Sequence, residues 1–142
     1  MRLTFLSWFV LMLAVASGAW FAWHAGAIST VWASDARVMA AIIVAWFVAS
    51  SAWLGRLSWL ADTEHVNARF GYVATEMAVV LGVLGMAIGL SWQGQAIATQ
   101  GTAIFAAWAV QLYSTILGVG TCAILLLMTY SLESGIHRKH NS

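Results

Sequence analysis

The longest uncharged stretch of the chain, residues 77–132, reads MAVVLGVLGMAIGLSWQGQAIATQGTAIFAAWAVQLYSTILGVGTCAILLLMTYSL. It has no Asp, Glu, His, Lys or Arg over 56 residues. A membrane-spanning helix needs about 20 apolar residues, so the stretch is too long for one span. A short polar segment at residues 93–101 divides it. We therefore predict two spans, at about residues 73–92 and 102–130.

Two shorter stretches, residues 3–34 and 38–55, also lack Asp, Glu, Lys and Arg. Each is long enough for one span, and we place these spans at about residues 3–23 and 36–54. Helices satisfy their own backbone hydrogen bonds in lipid, and the period-two alternation of barrel strands is missing. The sequence predicts an all-α integral membrane protein, a single domain of four transmembrane helices.

The composition excludes a small soluble domain. The 142 residues are 62% hydrophobic and 8% charged, and the mean hydropathy is +0.85. An average soluble chain is roughly a quarter charged, and a small soluble fold leaves too much surface in water to hide this apolar content. The net charge of +1 predicts no attraction to nucleic acid. The single cysteine, Cys122, excludes an internal disulfide.

The basic residues predict that both termini lie in the cytoplasm. With this orientation Arg37 is the one basic residue outside, and five lie inside: Arg2, Arg56, Arg69, Arg138 and Lys139. The linker at residues 55–72 is then cytoplasmic, as a short helix or turn that Asp62 or Thr63 could begin. The fourth span is longer than the bilayer core and is expected to extend into the cytoplasm. We expect the tail, residues 134–142, to fray.

The beginning of the chain allows a second interpretation. A basic residue, an apolar stretch and small residues near Ala16 also fit a cleaved signal peptide. The apolar run continues past that point to Trp23, which favours a retained span. A polar turn is expected after it, at residues 24–34.

The third span carries a face of glycines. Gly82, Gly85 and Gly89 follow the i, i+3, i+7 spacing of one helix face. Lipid offers no hydrophobic drive for helices to associate, so close backbone approach through glycine supplies the contact instead. The face could pack within one subunit, or it could pack between subunits or around a pore.

The fourth span carries a seam of small and polar residues. Gln111, Thr115, Gly118 and Cys122 recur at helical spacing, and two hydroxyl residues, Ser114 and Thr121, flank them. Hydroxyls in helices can bond the carbonyl four residues back and have no further role. Polar groups within a membrane otherwise tend to face a bundle interior or a hydrated path.

Both segments resemble the signature helices of the MotA/TolQ/ExbB proton-channel family. In this chain they read LGVLGMAIG at residues 81–89 and LYSTILG at residues 112–118. The family carries Leu-Gly-x-x-Gly-Thr-x-x-Gly on one helix and Ala-Leu-x-x-Thr-x-x-Gly on the next. The order, the spacing and the short outer loop agree, and four spans with both ends inside resemble the flagellar-stator branch. The resemblance covers about residues 74–133.

The chain also departs from the family pattern. Met86 stands at the Thr position of the first motif, and Gln111 stands where Ala is usual. Thr115 falls on the hydroxyl position of the second motif. The large cytoplasmic domain of stator subunits is reduced to about 18 residues, and the prolines common in stator subunits are absent. With Met86 at this position, the chain lacks the hydroxyl that the family pattern carries on the first signature helix.

The resemblance implies a subunit of a proton or sodium channel or motor complex in the bacterial cytoplasmic membrane. Five copies would surround a single-span partner of MotB/TolR/ExbD type, present in two copies, which supplies the titrating carboxylate. The expected ion-path residues of this chain are Thr115, Ser114, Gln111, Thr121 and Glu76. The expected helix-packing residues are Gly82, Gly85, Gly89 and Gly118.

Other classes of function are less well supported by the sequence. Glu76 could instead be an interfacial side chain that pairs with Arg69 or Arg56. No nucleophile–base pair, phosphate loop or metal-ligand pattern is present, so we expect no enzyme, no cofactor and no metal. A small transporter, such as a four-span drug/proton exchanger, needs an intramembrane acid, and the first span has none. A non-conducting scaffold or a phage lysis-type pore stays open as an alternative.

Overall fold

The chain is helical throughout the part that the structure describes. The computed structural model describes residues 3–33, 36–61, 66–99 and 104–140. In these ranges there is no strand, and the helices are α1 (Leu3–His24), α2 (Ala27–Ala33), α3 (Arg37–Leu60), α4 (Arg69–Thr99) and α5 (Ile104–His140). Four of them, α1, α3, α4 and α5, are long and apolar enough to cross a membrane. The prediction of an all-helical chain with four candidate spans is confirmed.

A short helix occupies most of the segment for which a polar turn was expected. Gly26 separates α1 from α2 with φ +76°, a left-handed conformation that glycine adopts without strain. Its carbonyl oxygen then accepts hydrogen bonds from Ser29 Oγ and Thr30 Oγ1, both at 2.8 Å. The same oxygen accepts the backbone N–H of Thr30 at 3.0 Å, which is the first helical hydrogen bond of α2, so the segment continues as a helix rather than as an open turn.

The linker between α3 and α4 is shorter than the sequence suggested. Helix α3 continues to Leu60 because Leu54 and Ser58, one turn apart, are both buried. Helix α4 already begins at Arg69, whose backbone N–H donates to Asn67 Oδ1 at 2.8 Å. A side-chain acceptor here satisfies one of the free N–H groups of the first turn. The two residues proposed to begin a linker helix, Asp62 and Thr63, lie outside the described residues.

The C-terminal tail is helical, against the expectation that it frays. Helix α5 continues to His140. Leu132 is fully buried, and a side chain at Gly135 would overlap Thr4 of α1, which shows how closely the two helices approach. Tyr72 of α4 donates a hydrogen bond to Glu133 at 2.5 Å. Contacts with two other helices therefore hold the tail in the helical form.

The core lies where α3, α4 and α5 meet. Its central side chains include Leu54, Leu125, Met128 and Leu132, each 2% exposed or less. Two indole N–H groups donate to carbonyls of neighbouring helices: Trp46 to Ala74 and Trp8 to Ser51, both at 3.0 Å. Helix α1 is peripheral, and Thr4 is its one residue classed as buried. The most extensive contact between elements is the one between α4 and α5.

Candidate functional site

The glycine face of α4 packs directly on the small and polar seam of α5. Gly82 lies against Gly118, Gly85 against Ser114, and Gly89 against Gln111. Nearer the start of α4, Gly71 lies against Thr129. From Gly71 to Gly89 the contact advances along α4 by as many residues as it retreats along α5. We call this antiparallel contact the glycine seam. It brings the two sequence signatures together within one chain.

The closest backbone approach in the glycine seam is at Gly82 and Gly118. A methyl group on Gly118 would lie 2.6 Å from the Cα atom of Gly82 and 3.3 Å from the carbonyl oxygen of Ala78. A methyl group on Gly82 would lie 3.2 Å from the Cα atom of Gly118. The first of these distances is shorter than any relaxed carbon–carbon contact. Glycine at position 118 is thus required for the observed helix separation.

Ser114 is enclosed in the glycine seam. It is 1% exposed, and its side chain lies over Gly85, where an added methyl carbon would be 2.6 Å from its Oγ. The Oγ atom has no hydrogen-bond partner among the described residues. Other serine and threonine hydroxyls in these helices, such as those of Thr75 and Thr129, donate a hydrogen bond to the backbone carbonyl four residues earlier. Ser114 makes no such bond. A buried hydroxyl without a partner costs free energy.

Thr115 lies at the edge of the seam rather than inside it. It is half-buried, and its Oγ1 donates to the carbonyl oxygen of Gln111 at 2.8 Å. The hydroxyl has one proton, so in this conformation the oxygen is free to accept but not to donate. Beyond this edge is the outer face of α5, on which Leu112, Ile116 and Val119 are each more than half exposed.

The other predicted site residues have different positions. Thr121 is buried, whereas Cys122 and Met86 are half-buried. Glu76 is exposed on α4, about 9 Å along the helix axis from Gly82. The structure therefore brings the predicted glycines together with Gln111 and Ser114 but does not bring Glu76 to them. No group of three metal-ligating side chains occurs among the described residues.

Sequence analysis missed three close contacts of the same type. Gly71 packs on Thr129, Gly55 on Trp8, and Gly135 on Thr4. Gly71 is detectable in the sequence because it precedes Gly82 by eleven residues, about three helical turns, and so falls on the same face. The other two contacts join helices that are far apart in sequence, and no local pattern indicates them.

The geometry of the seam is that of two closely packed antiparallel helices with the Thr115 hydroxyl at one edge. The chain matches no protein-family model, no curated protein and no solved structure. The arguments for function therefore depend on the residues and contacts of the chain itself.

Proposed function

We propose that the protein is a subunit of a channel or motor complex driven by protons or sodium ions in a bacterial cytoplasmic membrane. The observation that carries the proposal is the pairing of a closely packed α4–α5 hairpin with the absence of Asp, Glu, His, Lys and Arg from residues 77–132. Such a hairpin offers hydroxyl groups at membrane depth but no carboxylate to take up an ion. A partner must supply the titrating group.

The chemistry of a membrane-buried carboxyl explains this division of work. Desolvation raises the pKa of such a carboxyl, and hydrogen bonds to its ionised form lower it again. A hydroxyl that alternates between accepting from the neutral acid and donating to the carboxylate supports both states. Thr115 offers this group, since its oxygen is free to accept and its proton can leave the Gln111 carbonyl by rotation of the side chain.

The packing of the glycine seam favours one face of α5 as the surface that a partner helix would contact. Gly82, Gly85 and Ser114 are covered by the hairpin itself, so a guest helix has no access to them. Thr115 instead borders the exposed face of Leu112 and Val119. We place a single-span partner of MotB/TolR/ExbD type, in two copies, against this face, with five copies of the chain around it. Glu76 belongs to the proposed route of the ion to the cytoplasm.

The energy available is sufficient for mechanical work. One elementary charge that crosses 100 mV releases about 2.3 kcal/mol. Several ions in succession can therefore drive stepwise rotation of one part of the complex against the other.

A non-conducting membrane scaffold is the second candidate, and three observations favour it. The glycine seam is closed within a single chain, and the proton of Thr115 is already donated to Gln111. Met86 also removes the hydroxyl that a conducting relative would have on α4. A self-sufficient transporter has less support, because α1 contains no acidic residue and Glu76 is exposed.

The composition of the complex tests the proposal. The tagged chain is extracted from its native membrane in mild detergent, together with any protein bound to it, and weighed by native mass spectrometry. We expect five copies of the chain with two copies of the partner. A compact dimer without a partner would exclude the motor complex and leave the scaffold.

A further inference from the structure

Arg56 lies over the indole ring of Trp53 near the C-terminal end of α3. Its guanidinium carbon is 5.5 Å from the ring centroid, which is within the range of a cation–π contact. Both side chains are exposed. The ring of Phe70 from α4 packs against Trp53, with the two centroids 5.9 Å apart. Phe70 therefore supports the indole at the junction of the two helices, and the indole supports the guanidinium. We call this pair the Arg56–Trp53 site.

The Arg56–Trp53 site offers hydrogen-bond donors and no acceptor. A guanidinium has five N–H donors and an indole has one, and neither accepts a hydrogen bond. No carboxylate among the described residues forms an ion pair with Arg56. The indoles of Trp8 and Trp46 donate to carbonyls of neighbouring helices, whereas that of Trp53 has no acceptor within the described part of the chain. The site therefore suits a ligand with a negative charge and hydrogen-bond acceptors.

An apolar track runs along α3 from the site toward the middle of the candidate span. The face that bears Arg56 continues at helical spacing through exposed residues: Trp53, Ala49, Ala45, Ile42 and Val38. On α4 the face that bears Phe70 continues through Val73 and Met77, which are also exposed. The small alanine side chains leave room for an acyl chain beside these two residues.

The order of these groups along α3 matches the order of groups in a phospholipid. The apolar track comes first, then the indole of Trp53, and then the guanidinium of Arg56 about one turn further along. A phospholipid has its acyl chains first, then the glycerol esters, and then the phosphate. Arg37 and Arg56 are about 28 Å apart along the axis, close to the thickness of the hydrocarbon core. The guanidinium thus lies at phosphate depth when the acyl chains lie on the track.

We infer that the Arg56–Trp53 site binds an anionic glycerophospholipid. Arg56 binds two oxygens of its phosphate, the indole N–H of Trp53 donates to the same group, and an acyl chain follows the track. A zwitterionic lipid presents the same phosphate, but its net charge is zero and its ammonium finds no acceptor at the site. The inference requires that α3 and α4 cross a membrane, and it does not depend on ion transport or on a partner subunit.

The test is lipid retention measured by native mass spectrometry. The purified chain is mixed in detergent with equal amounts of phosphatidylglycerol, phosphatidylethanolamine and phosphatidylcholine, all with the same acyl chains. We expect phosphatidylglycerol to be retained several-fold more than either zwitterionic lipid. Equal retention of the three lipids, or a preference for a zwitterionic one, would overturn the inference.

Variants then assign the preference to the site. Arg56→Gln should remove the advantage of phosphatidylglycerol over phosphatidylcholine. Arg37→Gln is the matched control, since it makes the same change at an exposed arginine on the other end of the same helix and should leave the preference intact. A preference that is unchanged in Arg56→Gln, or lost equally in both variants, contradicts the site.

Arg56→Lys is the more conservative variant, and it decides if Arg56→Gln does not fold. It keeps the charge, but an ammonium binds phosphate as a point charge and lacks the planar guanidinium that stacks on a ring. The preference for phosphatidylglycerol should therefore decrease several-fold. An unchanged preference in Arg56→Lys would show that charge alone attracts the lipid, and it would overturn the inference.

Discussion

Gly82 and Gly118 face each other across α4 and α5 so closely that a methyl group on Gly118 would lie 2.6 Å from the Cα atom of its partner. This relationship fixes the separation of the two helices. It also fixes their register: Gly71, eleven residues before Gly82 on α4, packs on Thr129, eleven residues after Gly118 on α5. The glycine and hydroxyl patterns of the two C-terminal spans are therefore complementary halves of one contact.

Gly118→Ala should destabilise the protein by about 1–3 kcal/mol, because an added methyl group in a closely packed contact forces the helices apart. Gly120→Ala is the matched control, since no atom lies within 4 Å of its added methyl group. It should be neutral or slightly stabilising, because alanine has a better helix propensity than glycine. Reversible unfolding in mixed micelles measures both. Equal stability of the two variants would contradict the close approach.

Gly85→Leu should prevent the assembly of the hairpin, because its side chain would occupy the position of Ser114. The expected result is loss of the folded species in size-exclusion chromatography and greater proteolysis between α4 and α5. Normal elution and protease resistance would show that the glycine seam does not hold these helices together.

Ser114→Ala should leave stability unchanged or raise it by up to about 1 kcal/mol, because it removes a buried hydroxyl that has no hydrogen-bond partner. Ser51→Ala makes the same chemical change at a buried serine whose Oγ donates to Val48 O at 3.2 Å. This control should lose up to about 1 kcal/mol. If Ser114→Ala proves the more destabilising of the two, Ser114 has a partner in the membrane.

Thr115→Val should reduce ion-coupled transport while assembly stays intact, because valine keeps the shape of threonine and removes the hydroxyl. Thr115→Ser keeps the hydroxyl and should retain most of the transport. The measurement is proton or sodium flux into proteoliposomes that contain the chain and its single-span partner. Undiminished flux in Thr115→Val would exclude the threonine from the ion path.

Tyr72→Phe should loosen the C-terminal end of α5, because it removes the hydrogen bond to Glu133. Amide hydrogen exchange after Glu133 is expected to become several-fold faster, with little change near Leu125 in the core. Tyr130→Phe is the control, because it makes the same chemical change at an exposed tyrosine that takes no part in this hydrogen bond. Exchange that is equally fast in both variants would show that burial of Leu132 alone holds the tail.

The sequence by itself determined the helical class and the candidate spans. Long runs without charge can satisfy their backbone only as helices in lipid, and the i, i+3, i+7 spacing determines which residues share a face. Gly82, Gly85 and Gly89 could therefore be assigned to one face, and Gln111, Thr115 and Gly118 to another, without coordinates.

Only the tertiary structure decided which faces meet. Helical periodicity is a local property, whereas the pairing of Gly82 with Gly118 depends on contacts between separate helices. The tertiary contacts placed Ser114 inside the glycine seam and Thr115 at its edge, and they kept the tail helical through Leu132 and Glu133. A pattern on one helix cannot distinguish a packed neighbour from an open path, because small and polar residues suit both.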